Sequence, residues 1–261
     1  MTRQIRRLAF VALAIALSAR SASAAEVLTW NVDGQTRRAI VYSPSGKSTA
    51  REMPLIFSFH GRGDDIQNFQ HTDMHRAWPE AIVVYFQGLP SERGGFSGWQ
   101  TEKGQDNDRD LKLVDAAFRS LDEKFRIDHA RIYATGFSNG AAFTYLLWAE
   151  RASVFAAYAP VAARLRPSVQ LKQPKPILQV AGRTDLQILF ADQQTAIEAA
   201  MRADGVSGKC ASCGSGCTIY GSGSSAPVMT WIHPGGHEYP EGTSERIAKF
   251  FSAYALSSGG K

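Results

Sequence analysis

Residues 130–149, ARIYATGFSNGAAFTYLLWA, constrain the fold more than any other part of this sequence. The apolar residues 131–135 predict a short strand, and the residues after the next turn predict a helix. The turn itself, Gly136–Gly140, reads Gly-Phe-Ser-Asn-Gly. A corner this sharp needs small residues on both sides of Ser138, because larger side chains would collide with the adjoining strand and helix. The stretch therefore predicts a serine lifted onto a strained strand-to-helix corner.

The rest of the chain alternates strand-like and helix-like segments. Residues 54–59 and 81–86 are continuously apolar, which is typical of strands buried on both faces of a parallel sheet. Further strands are predicted at residues 27–30, 37–42, 154–161, 176–181 and 227–232, and helices at residues 106–126, 141–151, 190–203 and 244–254. This alternation predicts the α/β class, with a mainly parallel central sheet flanked by helices on both faces and sites at the C-terminal ends of the strands.

The first 24 residues have the pattern of a secretory signal peptide. Three arginines precede an apolar run over residues 8–17, and Ala22-Ser23-Ala24 follows as a cleavage site. The run is too short to span a bilayer. We therefore expect residues 1–24 to be removed and residues 25–261 to form a single domain, secreted or periplasmic and not held by a membrane.

The basic charge of the chain belongs mostly to this leader. The sequence has 29 Lys and Arg against 24 Asp and Glu, a formal net charge of +5. Residues 1–24 contain four of the arginines and no acid, which leaves a net charge of +1 for the remainder. The charge therefore gives no support for a nucleic-acid partner.

Three cysteines lie close together in a Gly/Ser-rich segment that is predicted to be a loop: Cys210, Cys213 and Cys217. A zinc site, the alternative, would need a fourth ligand nearby. In an oxidising compartment we expect one local disulfide and one free thiol. The spacing does not decide which pair is joined, and no metal or cofactor is expected.

A serine nucleophile needs a histidine to accept its proton and an acid to orient the imidazole. In doubly wound hydrolases these residues follow in the order serine, acid, histidine, each at the end of a later strand. Asp185 follows the strand at residues 176–181, and His237 follows the last strand. The sequence thus predicts Ser138 as nucleophile, Asp185 as acid and His237 as base. The alternatives are His233 for the base, and Asp192 and Asp204 for the acid.

Acyl transfer also needs backbone N–H groups directed at the developing oxyanion. One is expected from Asn139, directly after the nucleophile. The other is expected from Arg62, in the His60-Gly-Arg-Gly63 turn after an early central strand. His60 itself is expected to be structural, hydrogen-bonded within that turn.

From Pro54 to Phe250 the sequence resembles the secreted poly(3-hydroxybutyrate) depolymerase and feruloyl esterase group of α/β-hydrolases. The matching motifs are FHGRG at 59–63, DND at 106–108, FRID at 125–128, RIYATGFSNG at 131–140, FAAYAPVA at 155–162, GRTD at 182–185 and GGHEYP at 235–240. The resemblance implies the α/β-hydrolase fold, Ser138, Asp185 and His237 as the catalytic residues, and Arg62 and Asn139 as oxyanion donors.

Two positions depart from this group. Tyr239 stands where relatives often have Trp, which affects the rim of the site. Arg62 stands where a small or thiol residue is common, and its guanidinium favours an acidic or carboxyl-bearing substrate. Phe96, Trp99 and Trp231 are candidates for a substrate pocket, with core packing as the alternative for the tryptophans.

The sequence as a whole predicts a secreted esterase that works through an acyl-serine intermediate. Its expected partner is a small-molecule or oligomeric ester. The alternatives are a peptidase on the same fold and a catalytically silent binding protein. The acyl group and the oligomeric state are left open.

Overall fold

The computed structural model describes residues 23–44, 51–91, 95–208 and 210–256. The predicted signal peptide lies outside these residues except for its last two positions, which begin the first strand. Cleavage after residue 24 therefore stays a prediction. None of the described helices is long and apolar enough to cross a membrane.

A ten-stranded sheet runs through the described part of the chain, with a two-stranded ribbon beside it. The strands are β1 Ser23–Val32, β2 Gln35–Pro44, β3 Met53–Phe59, β4 Ile82–Phe86, β5 Leu89–Pro90, β6 Ser97–Gly98, β7 Ile127–Phe137, β8 Ala157–Val161, β9 Ile177–Gly182, β10 Cys210–Gly214, β11 Cys217–Tyr220 and β12 Val228–His233. The large sheet has the order β1-β2-β4-β3-β7-β8-β9-β12-β11-β10, and β5 pairs with β6 in the ribbon.

The six central strands of the large sheet, from β4 to β12 in that order, are parallel to one another, and the two strands at each edge pair antiparallel. Every residue of β3, β4, β8 and β9 is buried. Continuous apolar sequence is what a strand covered on both faces requires. The predicted mainly parallel sheet is confirmed.

Helices cover both faces of this sheet. They are α1 Ile66–Phe69, α2 Met74–Ala77, α3 Arg109–Lys124, α4 Asn139–Arg151, α5 Phe190–Ala203 and α6 Thr243–Phe251. Helices α3, α4 and α5 pack in one hydrophobic cluster, whereas α1, α2 and α6 pack in the other. Alternate residues of one strand enter opposite clusters: Phe57 lies in the first and Ile56 in the second. This is the period of two expected for a strand between two layers.

The helix predicted to begin at Asp106 begins three residues later. Asp106, Asn107 and Asp108 have φ values of 47°, 55° and 56°, in the left-handed region that Asn and Asp tolerate better than most residues. The Asp108 carboxylate accepts hydrogen bonds from Gly104 N at 2.7 Å and from Gln100 Nε2 at 2.8 Å. These side-chain contacts stabilise a tight bend in place of a first helical turn.

The Gly/Ser-rich segment with the cysteines is not wholly a loop, and this part of the prediction was wrong. It contains β10 and β11, which form an antiparallel hairpin added to the sheet edge beside β12. Cys213 and Cys217 form a disulfide with a Cα–Cα distance of 5.0 Å. Cys210 is exposed and free. A three-thiolate zinc site is incompatible with this pairing, because two of the sulfurs are already joined.

Candidate active site

Ser138 occupies the corner between β7 and α4. Its backbone has φ 54° and ψ −113°, a conformation that costs free energy for any residue with a side chain. A Cβ on Gly136 would lie 2.5 Å from the carbonyl carbon of Gly140, and a Cβ on Gly140 would overlap the carbonyl oxygen of Phe59. Both glycines are therefore required by close backbone approach, as the sequence predicted.

Three side chains that are distant in sequence meet at this corner. His237 Nε2 lies 2.8 Å from Ser138 Oγ, and His237 Nδ1 lies 2.8 Å from Asp185 Oδ2. An ionised carboxylate only accepts hydrogen bonds, so Nδ1 carries the proton and Nε2 is left to accept one from the serine hydroxyl. The geometry is that of a nucleophile, a base and an orienting acid.

Asp185 is buried, and both of its oxygens are hydrogen-bonded. Oδ1 accepts from the backbone N–H groups of Gln187 at 2.8 Å and Ile188 at 2.9 Å. Oδ2 accepts from Gln193 Nε2 at 3.0 Å in addition to His237. Gln193 also donates to the carbonyl of Ile188 at 2.8 Å. The sequence analysis missed Gln193. The available signal was its place in the first turn of the helix that follows Asp185, eight residues after the acid.

The loops that carry Asp185 and His237 are joined by backbone contacts. Arg183 N donates to His233 O at 2.9 Å, and Thr184 N donates to Gly235 O at 3.1 Å. A Cβ on Gly182 would overlap the carbonyl oxygen of Gly236, so this approach requires glycine. The acid and the base are thus held by two neighbouring strand ends, β9 and β12, which pair in parallel.

The alternative base and acids lie elsewhere. His233 is buried at the end of β12, where its Nδ1 accepts from Gly235 N at 3.2 Å, and burial lowers the pKa of its imidazole. Asp192 is exposed on α5, and Asp204 lies at the opposite end of that helix from Asp185. Within the described chain, none of the three has a hydrogen bond to Ser138.

His60 is buried inside its turn. Its Nδ1 lies 2.6 Å from the carbonyl of Gly61, and its Nε2 accepts from Gly88 N at 2.9 Å. Burial lowers the pKa of the imidazole, which favours this neutral form. The arrangement agrees with the structural role expected for His60.

Arg62, two residues after His60 in the same turn, lines the same cleft as Ser138 and Asn139. Among the described residues, the backbone N–H groups of Arg62 and Asn139 have no hydrogen-bond acceptor. Asn139 is also the first residue of α4, where the helix dipole favours negative charge. The two predicted oxyanion donors are therefore brought to one site with their N–H groups available.

The cleft around Ser138 has a volume of about 810 Å³ and is open to solvent. Phe96 lines it with a ring that is 67% exposed, and Ile188 lines it as well. The aromatic side chain predicted for a pocket is therefore available at Phe96.

The two tryptophans are not among the residues that line this cleft, so the structure favours core packing over the substrate contacts predicted for them. Trp99 is only 3% exposed, stacks on Phe143 and donates from Nε1 to His60 O at 2.9 Å. Trp231, on β12, lies under the guanidinium of Arg246 at 4.1 Å. Trp99 packs in the core because its indole N–H finds a buried acceptor there.

A buried polar network behind the cleft was not foreseen from the sequence. Asp110 accepts hydrogen bonds from Arg37 Nη2 and from Gln100 N, both at 2.7 Å. The side-chain oxygen of Gln100 in turn accepts from Asp110 N at 3.0 Å. These bonds connect the segment after β6 to the start of α3. They hold in place Thr101, the next residue along the chain, which lines the cleft.

No group of three or more His, Cys, Asp or Glu side chains in the described ranges is placed to hold a metal ion. The residues around Ser138 form hydrogen bonds and ion pairs with one another instead.

Comparison with solved structures identifies the architecture. A carboxylesterase from Bacillus cereus superposes with a TM-score of 0.61 over 83% of this chain and 94% of that one, at 18% identity. A ferulic acid esterase superposes with a TM-score of 0.65 over 89% and 99% of the two chains, at 15% identity. The chain has the α/β-hydrolase fold. At these identities the superpositions establish the fold only.

Sequence relatives of this α/β-hydrolase chain carry esterase names, so the predicted resemblance is confirmed. A bifunctional acetylxylan esterase/xylanase of Neocallimastix patriciarum is 31% identical over 58% of this chain and 22% of that protein. Feruloyl esterase C of Emericella nidulans is 28% identical over 46% of this chain and 44% of that protein. The chain thus spans less than half the length of these relatives. No protein-family model matches it.

Proposed function

We propose that this protein is a serine esterase that hydrolyses carboxylic esters through an acyl-Ser138 intermediate. The observation that carries the proposal is the continuous pair of 2.8 Å contacts from Asp185 through His237 to Ser138. The contacts end at Ser138, which occupies a strained corner and lines a cleft that is open to solvent. Backbone strain of this kind is concentrated at functional sites, which favours an enzyme over a catalytically silent protein.

In the first half of the reaction, Ser138 Oγ attacks the ester carbonyl while His237 Nε2 accepts the hydroxyl proton. Asp185 keeps the other imidazole nitrogen protonated and stabilises the imidazolium. The carbonyl oxygen gains negative charge and accepts hydrogen bonds from the N–H groups of Arg62 and Asn139. Collapse of the tetrahedral intermediate breaks the ester C–O bond, and the imidazolium of His237 gives its proton to the departing alcohol.

In the second half, a water molecule takes the place of the alcohol. His237 accepts a proton from the water while the water oxygen attacks the acyl carbonyl. The N–H groups of Arg62 and Asn139 again donate hydrogen bonds to the oxyanion. Collapse returns the proton to Ser138 Oγ and releases the carboxylic acid. The side chains of one site thus serve both half-reactions, and the cycle needs only the ester and water.

The esterase names of the relatives support carboxylic esters as the substrate class. On the basis of those names, we propose feruloyl and acetyl as the first acyl groups to test. The exposed ring of Phe96 in the cleft favours an aryl or alkyl contact beside the scissile bond. We further propose, from the sequence pattern of residues 1–24, that the enzyme is exported and acts outside the cytoplasm.

A fluorophosphonate probe tests the nucleophile, because it phosphonylates an activated serine. We expect the wild-type protein and Ser252→Ala, a variant at an exposed serine, to be labelled and Ser138→Ala to remain unlabelled. Labelling that survives in Ser138→Ala, or no labelling of wild type, would overturn the assignment. Hydrolysis of p-nitrophenyl acetate and methyl ferulate, compared with peptide p-nitroanilides, then separates an esterase from a peptidase.

A further inference from the structure

Three arginines line the cleft that contains Ser138. Arg62 comes from the turn after β3, whereas Arg164 and Arg166 come from the segment after β8. The acidic side chain among the lining residues is Asp64. The proposed ester hydrolysis uses the backbone of Arg62 but none of the three guanidinium groups, so their presence calls for a separate explanation.

The two arginines after β8 are placed by the same core contacts that hold the nucleophile. Val161, the last residue of β8, accepts a hydrogen bond from Ser138 N at 2.8 Å. The next residue, Ala162, is buried with φ 55°, a left-handed conformation that is unfavourable for a residue with a Cβ. Its N–H donates to Val180 O at 2.9 Å. The chain therefore turns sharply at Ala162 and is directed over the cleft at a fixed position.

The guanidinium groups differ in how far they are already paired. Arg166 donates from Nε to Thr101 Oγ1 at 3.2 Å and lies 3.9 Å from a carboxylate oxygen of Glu102. Arg164 is exposed and has no hydrogen bond or ion pair to any residue that the structure describes. Arg62 is exposed and lies over the ring of Phe96, 5.5 Å from its centroid. Two positive charges thus line the cleft without a carboxylate partner among the residues that the structure describes.

The acids of the described residues near the cleft are hydrogen-bonded or paired with groups other than Arg62 and Arg164. Asp64 Oδ1 accepts from Asp65 N at 2.9 Å and from Asn68 Nδ2 at 2.8 Å, so this oxygen is directed to the start of α1. Glu102 accepts from Ser168 Oγ at 2.5 Å and lies beside Arg166. Asp185 is buried behind His237. The cleft is lined by three guanidinium groups and one carboxylate, and this excess of positive charge raises the local concentration of anionic ligands.

We propose that this cleft binds esters that carry a carboxylate group, with Arg164 and the side chain of Arg62 as the groups that recognise it. The inference rests on the proposed esterase activity and specifies its substrate class. A guanidinium presents N–H groups in a fork that matches the two oxygens of a carboxylate. Phe96, which packs against Arg62, would contact the apolar part of the same substrate.

Matched ester pairs test this inference. For a carboxylate on the alcohol side, 4-acetoxybenzoate is compared with methyl 4-acetoxybenzoate. For a carboxylate on the acyl side, p-nitrophenyl hydrogen adipate is compared with p-nitrophenyl methyl adipate. At a pH near 8 we expect kcat/KM, corrected for spontaneous hydrolysis, to be roughly tenfold or more higher for the anionic member of at least one pair, chiefly through KM. Raising NaCl from about 50 mM to about 500 mM should reduce that preference.

The arginines are tested through the ratio of anionic to neutral activity, which a general loss of activity does not change. We expect Arg164→Gln and Arg62→Ala each to lower the ratio several-fold and together to bring it near unity. Arg119→Gln, at an exposed arginine on α3, is the matched control and should keep the wild-type ratio.

Two failures are distinguishable. If the neutral esters are hydrolysed but neither pair shows an anionic preference, or if the ratio is unaffected in both arginine variants, the inference is wrong while the esterase assignment stands. If none of the four esters is hydrolysed and the fluorophosphonate probe does not label wild type, the proposed function itself fails and this inference fails with it.

Discussion

The side-chain amide of Asn139 pairs with both backbone polar groups of Trp99. Oδ1 accepts from Trp99 N at 2.7 Å, and Nδ2 donates to Trp99 O at 3.1 Å. Because Asn139 directly follows Ser138, these two bonds connect the nucleophile corner to the segment that carries Phe96. The residue proposed to supply an oxyanion N–H through its backbone thus also holds the cleft wall through its side chain.

Removing this amide is expected to reduce stability more than activity. Asn139→Ala leaves both backbone groups of the buried Trp99 without their partner, and we expect the free energy of unfolding to fall by about 2 kcal/mol. The backbone N–H of residue 139 remains, so fluorophosphonate labelling should persist at a lower rate. Urea denaturation measures the stability, with Asn68→Ala at an exposed asparagine as the control, expected within about 0.5 kcal/mol of wild type. Equal losses in the two variants would contradict a specific role for the Asn139 amide.

The buried carboxylate of Asp185 provides a second prediction. Asp185→Asn replaces an acceptor with a group that can donate to His237 Nδ1, which favours the wrong imidazole tautomer. We expect kcat to fall by about 10⁴-fold with little change in the folded structure. Asp192→Asn, on the exposed side of the following helix, should keep kcat within about twofold. Steady-state kinetics on p-nitrophenyl acetate measure both, and a small effect of Asp185→Asn would remove Asp185 from the proposed triad.

The pH dependence of the rate distinguishes which of the two histidines near the end of β12 is the general base. If neutral His237 is the base, kcat/KM of the wild type falls as acid protonates its Nε2. We expect His237→Gln to lose nearly all activity, whereas His233→Gln should be active and keep the fall at acid pH. A flat profile in His233→Gln would instead make His233 the titrating base. Burial lowers the pKa of His233 from the ordinary value of a histidine, which favours its neutral form.

Asp204 is expected to make stability depend on pH. Its Oδ1 accepts from Lys175 N at 2.8 Å, while Oδ2 is buried and has no partner among the described residues. Burial raises the pKa of this carboxyl from 3.8 to about 7. The folded state therefore binds the proton more tightly than the unfolded chain. The resulting stabilisation is complete below the unfolded value and is lost as the pH rises through about 7.

The Asp204→Asn variant checks this sign. It cannot ionise, so the Tm of the variant relative to wild type should rise between about pH 5 and pH 9, as wild-type Asp204 becomes charged in its buried site. Asp192→Asn, at an exposed carboxylate, should show a Tm difference that is constant over the same range. A difference for Asp204→Asn that stays constant or falls with pH would contradict the prediction.

The disulfide is expected to affect stability without affecting the reaction. Cys213 and Cys217 close a short loop in the hairpin at the sheet edge. Loop-closure entropy predicts that replacing both by Ser costs about 2 kcal/mol. The hairpin lies beyond β12 and contributes no residue to the cleft lining, so kcat/KM should be unchanged. Cys210→Ser, at the free thiol, should change neither quantity, and thermal denaturation with ester kinetics measures both variants against wild type.

Local sequence predicted much of this architecture because the signals are short-range. Continuous apolar runs indicated β3 and β4, and the alternation of strand-like and helix-like segments indicated a mainly parallel sheet between helices. Local signals were insufficient where side chains from distant segments compete with the backbone. The first turn of the predicted helix at Asp106 is replaced by a bend, because Asp108 pairs with Gln100. The hairpin of β10 and β11 forms because β12 offers an edge to pair with.

The sequence by itself determined the corner at Ser138, because only a sharp corner requires the two glycines that flank this residue. It also predicted the order in which Asp185 and His237 follow. Only the tertiary structure decided which side chains surround that corner. It placed Trp99 in the core, Gln193 against Asp185, and Arg164 over the cleft. The physical reason is that burial and pairing depend on contacts between strand ends far apart in sequence. The chemistry of the corner is encoded locally, whereas the walls of the cleft are set by the packing of the sheet.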